Sequence, residues 1–312
     1  MSITKVAMNW FIPVIAVLFL ADLAAANDQM REWALESGEK IQAEITGFDE
    51  VARIVTLQSP DGKTIKIAES NFTTIDRAWI LEWMEQFEEA QALLSKIGGT
   101  VTRHTTKGAF ATTYSVYVPA TEPDASGAKP PLLFLFHPGG HGGRVIYRYI
   151  EAAASLGVTL VSFDHFQNTD NNPEREAEML QRFTAILPQI EAAVPHDENR
   201  MFMGGVSGGA WRAFHYSAQV PRPWAGILSI GGWLGGEEWF DLPYPRLRVA
   251  MVYGDKDHAR RVIEKDTEIL HQSGSIVSVH AFEGGHQMSP PSVTAKALRW
   301  LLETKLPVQT AP

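Results

Sequence analysis

The sequence predicts an α/β protein, a sheet with helices on both faces, preceded by a small all-β module. Three observations carry this. From about residue 100 to 307, strand-like and helix-like runs alternate, which is the pattern of a sheet covered by helices. Several strand runs are apolar throughout, such as Leu132-Leu133-Phe134-Leu135-Phe136, and suit strands of a parallel sheet buried on both faces. Between about 27 and 75, short β-prone runs are instead separated only by turns.

The 312 residues are enough for one medium domain and a small one. Net charge is −9 with no long basic run, which argues against a nucleic-acid partner. The chain has no cysteine, so disulfides, thiolate metal sites, a cysteine nucleophile and a lipidated N-terminal cysteine are all excluded. Residues 1–26 read as an export signal: Lys5 is the positive residue, 10–20 the apolar core, and Ala24-Ala25-Ala26 a small-residue cleavage site. The alternative is an uncleaved anchor. A spanning helix needs about 20 apolar residues, and Asp22 interrupts the run early. The expected location is periplasmic or extracellular, with no stable membrane insertion once the signal is cleaved.

Residues 27–75 form the β module. Its β runs are 40–45, 52–57 and 63–67, with Asp61-Gly62 as a hairpin turn. Alternation of Ile41, Ala43 and Ile45, and of Ile54 and Thr56, suggests half-buried strands. The stretch resembles the SH3-like domain of an endocytic adaptor that recurs in exported bacterial proteins. The resemblance rests on Arg31 and Trp33, Gly38, Ala43, Val55-Thr56-Leu57, Asp61-Gly62-Lys63 and Asp76. The adaptor's domain binds short peptides, but nothing here marks a peptide groove. A structural or tethering role is expected, with protein or cell-envelope contact through this module. A connector helix follows over 76–98, capped by Thr74 and running to about Lys96. Ile80, Trp83, Met84, Phe87, Ala90 and Leu94 share one face, and Glu82, Glu85, Glu88 and Glu89 the other. Gly98-Gly99 ends it.

The larger domain spans 99–307, with a tail at 308–312. Strands are expected at 109–118, 131–136, 158–163, 200–204, 225–230, 248–253 and 275–282, and helices at 146–156, 174–194, 208–219, 260–272 and 292–304. The loop 121–129, rich in Pro, Ser, Gly and charge, is expected to be exposed.

Within it, Gly205-Val206-Ser207-Gly208-Gly209 is a G-x-S-x-G pentapeptide between an apolar run and a helix-compatible run. A strand that turns sharply into a helix lifts a serine hydroxyl clear of the sheet, and Gly204, Gly205, Gly208 and Gly209 leave room for that turn. A serine nucleophile needs a base, and a histidine base needs a carboxylate to hold its tautomer. Both occur downstream at strand ends, Asp255 and Asp257 after Gly254, and His286 after Gly284-Gly285. All would lie at the carboxyl edge of one sheet. His280 falls in a strand and His215 and His271 in helices, where packing or surface roles are expected.

With nucleophile, acid and base in the order Ser207, Asp257, His286, the segment from about Thr100 onward resembles the α/β-hydrolase superfamily. It is most similar to compact exported esterases related to polyhydroxyalkanoate depolymerases and feruloyl or acetyl esterases. The resemblance implies an α/β-hydrolase sheet flanked by helices and a serine carboxylester hydrolase. The family's G-x-x-D pattern selects Asp257 as the acid, leaving Asp255 to support the loop. His137-Pro138-Gly139-Gly140-His141-Gly142-Gly143 resembles the esterase oxyanion loop. Pro138 has no N–H, so the donor there is Gly139 or Gly140, alongside the Gly208 N–H. No metal or organic cofactor is needed.

For substrate binding, Trp211 and Trp233 are the chief candidates, with Trp224 and Trp239 also possible pocket walls. The partner is a small-molecule or polymeric ester. Two other readings compete: a serine peptidase of the same fold, and a non-catalytic binding protein with a vestigial hydrolase domain.

Overall fold

The computed structural model describes residues 31–49, 51–59, 63–120, 128–140, 142–169, 172–236, 239, 242–244 and 246–305. The expected signal, the Asp61-Gly62 turn, most of the 121–129 loop, His141 and the 308–312 tail lie outside them.

The first sheet is a four-stranded antiparallel meander of β1 (Arg31–Ala34), β2 (Lys40–Asp49), β3 (Ile54–Gln58) and β4 (Thr64–Ala68). Its core is Trp33, Ala43, Ile45, Val55, Leu57 and Phe72. The phase expected for β3 is corrected: Val55 and Leu57 are buried, and Ile54 and Thr56 are only half-buried. The run Ile-Val-Thr-Leu carries apolar residues in both phases, so periodicity alone could not choose. β1, with four residues, is too short to give a periodic signal in the sequence.

Helix α1 (Thr74–Ile97) follows. Its N-cap is Thr73 rather than Thr74: the Thr73 hydroxyl accepts the Asp76 N–H at 3.3 Å. The buried Asp76 carboxylate also accepts the Ala34 N–H at 2.9 Å and pairs with Arg31 at 2.5 Å. The Arg31 guanidinium lies over the rings of Trp33 and Trp79, at 4.6 and 4.7 Å. Ile80 and Trp83 of α1 complete the first core, and Leu94 and Ile97 pack on the second. The helix stops at Gly98 and Gly99, both at positive φ.

The second sheet has eight strands: β5 (Thr100–Thr105), β6 (Thr113–Val118), β7 (Leu132–Phe136), β8 (Thr159–Phe163), β9 (Met201–Val206), β10 (Trp224–Ile230), β11 (Arg248–Gly254) and β12 (Ile276–Phe282). Their order is β12-β11-β10-β9-β7-β8-β6-β5. All pairs are parallel except those of β6, which runs antiparallel to β5 and β8. β5 carries no apolar signature in the sequence, because Thr-Val-Thr-Arg-His-Thr on an edge buries only Val101. The strand expected at 109–118 starts later, at Thr113.

The helices of this domain are α2 (Gly142–Val145), α3 (Tyr147–Ala154), α4 (Pro173–Ala193), α5 (Gly208–Gln219), α6 (Arg260–Gln272) and α7 (Pro291–Glu303). Alternate strand residues serve opposite cores. Leu132, Phe134, Phe136, Val161 and Phe163 meet α4, α5 and α6 on one face, while Leu133, Leu135 and Leu160 meet α3 and α7 on the other. β7, β8, β9 and β10 are buried along their whole length, as continuous apolar runs require.

Phe183 of α4 is fully buried and makes ring contacts with Phe134, Phe136, Phe163, Phe166 and Tyr216 at 5.0–6.2 Å. Phe183→Ala is expected to lower unfolding free energy by about 3–5 kcal/mol, read from denaturant midpoints.

Candidate active site

Ser207 stands between β9 and α5 with φ 52° and ψ −122°, a left-handed backbone that costs a non-glycine residue about 1–3 kcal/mol. Its N–H donates to the Ile230 carbonyl at 2.8 Å. Three nearby glycines, Gly204, Gly205 and Gly209, are demanded chiefly by backbone. A Cβ on Gly205 or Gly209 would fall on the Phe136 carbonyl, and one on Gly204 would lie 2.6 Å from the Leu228 carbonyl oxygen. The turn is therefore wedged between β7 and β10, and the hydroxyl projects from the carboxyl edge of the sheet.

Two further loops at that edge meet the serine. After β11, the Asp257 N–H donates to the Gly254 carbonyl at 3.0 Å, and the Asp257 carboxylate accepts the Ala259 N–H at 2.8 Å. That carboxylate is 1% exposed. After β12, His286 places Nδ1 3.0 Å from both Asp257 oxygens and Nε2 2.9 Å from Ser207 Oγ. A carboxylate only accepts, so Nδ1 carries the proton and Nε2 accepts from the hydroxyl. Asp255 takes a different part: its carboxylate accepts the Gly284 N–H at 3.0 Å, its N–H donates to the Phe282 carbonyl, and the Lys256 N–H donates to the Gly284 carbonyl. The acid-bearing and base-bearing loops are thus bonded to each other.

His258 is exposed, with its ring 4.6 Å from that of His286. Asp257, His258 and His286 bring ligand-type atoms within 4.8 Å of one another, but the Asp257 oxygens are already held by His286 and the Ala259 N–H.

Gly208 opens α5, where first-turn N–H groups have no partner within the helix. In the loop after β7, the Gly139 N–H donates to His137 Nδ1 at 3.1 Å, and the Gly140 N–H to the His137 carbonyl at 3.0 Å. Gly140 has φ 73°, and a Cβ there would meet the Asp164 carbonyl.

A cavity of about 780 Å³ opens onto Ser207 and Gly208. Trp211, Trp233 and Trp239 line it. Trp224 does not, which corrects the sequence expectation: it is buried against Phe134, with its Nε1–H donating to the Val220 carbonyl at 2.8 Å. A tryptophan opening a strand reads the same in sequence as one in a loop. Asn168, Glu176 and His215 also line the cavity. No motif marks them, because two come from the loop and helix after β8 and the third sits among apolar residues of α5.

Buried polar groups fix the walls. Arg212, whose side chain is 0% exposed, donates to the Phe166 and Gln167 carbonyls at 2.7 and 3.1 Å and pairs with Glu176 at 2.8 Å. Thr169 donates to the same Glu176 oxygen at 2.6 Å. On the other wall, the Leu234 peptide next to Trp233 is clamped at both ends. Its N–H donates to Asp266 at 2.6 Å, and its carbonyl accepts from His215 Nε2 at 2.9 Å. The His215 ring lies between Trp211 and Trp239, with centroids 3.8 and 4.2 Å away.

Burial lowers the His215 pKa from 6.5 to about 4. Below pH 6.5 the unfolded chain takes up a proton that folded His215 refuses. Its contribution to stability is therefore full above pH 6.5 and falls as pH drops toward 4. His165 and His280, also lowered by burial, act in the same direction. His215→Gln is expected to flatten part of the acid loss, by at most about 3 kcal/mol, measured as denaturant midpoints at pH 7 and 4.5.

No family model matches the chain, and no curated protein matches it in sequence. Solved structures do match in fold. The S-formylglutathione hydrolase FrmB of Staphylococcus aureus superposes with a TM-score of 0.53 at 10% identity, covering 66% of this chain and 97% of that one. Esterase LipW of Mycobacterium marinum gives 0.53 at 15% identity over 70% of this chain and 86% of that one. The hyperthermophilic esterase of Pyrobaculum calidifontis gives 0.53 at 11% identity over 70% and 91%. The eight-stranded mixed sheet with flanking helices is an α/β-hydrolase fold.

Proposed function

We propose that this protein is an exported serine hydrolase that cleaves carboxylic esters through an acyl-enzyme on Ser207. The observation that carries the reading is the unbroken hydrogen-bonded chain from Ser207 Oγ through His286 to the buried Asp257 carboxylate. In this mechanism Oγ attacks the ester carbonyl carbon while His286 Nε2 takes its proton. Asp257 stabilises the resulting imidazolium. The intermediate collapses, and His286 gives the proton to the departing alkoxide. A water then attacks the acyl-serine, with His286 accepting its proton and returning it to Ser207 Oγ as the acid leaves. The Gly208 N–H, in the first turn of α5, is the backbone donor for the developing oxyanion.

The fold shared with proteins named as esterases and as an S-formylglutathione hydrolase supports this class. The tryptophan-lined cavity supports an ester bearing an apolar or ring-shaped group. Export rests on Lys5, the apolar run at 10–20 and Ala24-Ala25-Ala26. The N-terminal module is read as an SH3-like tethering appendage. Arg31, Trp33 and Asp76, three residues on which that resemblance rests, are joined in one cluster of contacts.

The wild-type protein is expected to turn over short p-nitrophenyl esters and to be labelled by a serine-directed phosphonate. Ser207→Ala should abolish both, whereas cleavage of a peptide amide would favour a peptidase. Asp257→Asn should lower kcat by about 10⁴, while Asp255→Asn should keep most of it. Full activity in the Asp257 variant would overturn the assignment of the acid.

A further inference from the structure

We infer that the Asn168 carboxamide is an oxyanion donor of this site, acting beside the Gly208 N–H. The inference rests on the serine-hydrolase reading above and adds a residue that neither the motifs nor the fold comparisons assign.

An acyl-transfer site of this kind needs two donors aimed where negative charge develops. Gly208 supplies one. The two amides of the preceding loop are committed at home, Gly139 to His137 Nδ1 and Gly140 to the His137 carbonyl. Asn168 lies beside Gly208. Its carboxamide fills the space that a Cβ on Gly208 would need, with Oδ1 nearest that point and Nδ2 2.9 Å from it, and a half-turn of the amide exchanges the two ends. It lines the cavity together with Ser207 and Gly208. Among the described residues its side chain has no hydrogen-bond partner, so no existing bond must break for it to donate. A carboxamide offers two N–H donors, and an oxyanion selects the orientation that presents them.

The backbone that carries Asn168 is held firmly. The Asn168 N–H donates to the Pro138 carbonyl at 2.7 Å, which fixes it to the loop after β7. The two preceding carbonyls, Phe166 and Gln167, accept from the buried Arg212 guanidinium. Arg212 lies on α5, the helix whose first residue is Gly208. The backbone of both donors is therefore referenced to one helix, while the exposed Asn168 side chain turns about its own torsions to present Nδ2. As Ser207 adds to the carbonyl, Asn168 Nδ2–H donates to the oxygen that gains charge. It transfers no proton.

A double-mutant cycle tests this. Gly208 has an ordinary φ, so Gly208→Ala fits the backbone, keeps the residue-208 N–H and places a methyl where the Asn168 carboxamide sits. Asn168→Ala and Gly208→Ala are each expected to lower kcat on p-nitrophenyl butyrate by about 10²–10³, with KM nearly unchanged. The double variant should fall no further than the lower single, because both changes remove the same donor. Asn168→Asp, which keeps size but can only accept when ionised, should be at least as poor as Asn168→Ala. Thermal midpoints close to wild type would show that folding is intact, and phosphonate labelling that Ser207 remains reactive. Wild-type kcat in Asn168→Ala, a change in KM alone, or additive losses in the double variant would each overturn the proposal. None of these would touch the ester-hydrolase reading, which falls only if Ser207→Ala keeps turnover.

Discussion

The site depends on one constraint, the left-handed backbone of Ser207 held between β7 and β10. Its φ of 52° costs free energy that a loop alone would relax. It persists because Gly205 and Gly209 let the chain approach the Phe136 carbonyl more closely than any side chain permits. The hydroxyl is thereby raised at the sheet edge while the next residue starts a helix. The orientation of Ser207 Oγ toward His286, and the opening of α5 at Gly208, both follow from that turn.

Around it, the supports are polar and mostly buried. Asp255 and Lys256 bind the loop after β11 to the loop after β12, so the spacing between Asp257 and His286 does not rest on side-chain packing alone. Arg212 with Glu176, and Asp266 with His215, hold the two walls of the cavity through backbone carbonyls and amides. Burying an arginine is costly unless its donors are met. Here Nη1 and Nη2 are spent on two carbonyls and a carboxylate while Nε stays buried without a partner, and the guanidinium fixes a loop that has no regular structure.

Legibility followed the range of each signal. That Ser207, Asp257 and His286 would meet could be anticipated because each sits in a local glycine-marked motif at a strand end, and it is the Asp257 carboxylate, not that of Asp255, that lies against the His286 ring. The central strands were readable because burial on both faces leaves continuous apolar runs. Asn168, Glu176, Arg212 and Asp266 were not, because their roles arise only when loops distant in sequence come together. A buried arginine in a helix looks like any solvated one until its neighbours are known. The short edge strands β1 and β5, and the phase of β3, failed for a related reason: few or ambiguous apolar positions leave periodicity without a preference.

Helix α1 belongs to two cores, giving Ile80 and Trp83 to the first sheet and Leu94 and Ile97 to the second. At 24 residues it is about 36 Å long, a strut with each end sunk in a different oily interior. A proteolytic nick in its middle would leave each core its own half but break the hydrogen-bonded run that joins them. The small sheet and the large one are therefore held at opposite ends of a single rod, and the distance between them is set by its length.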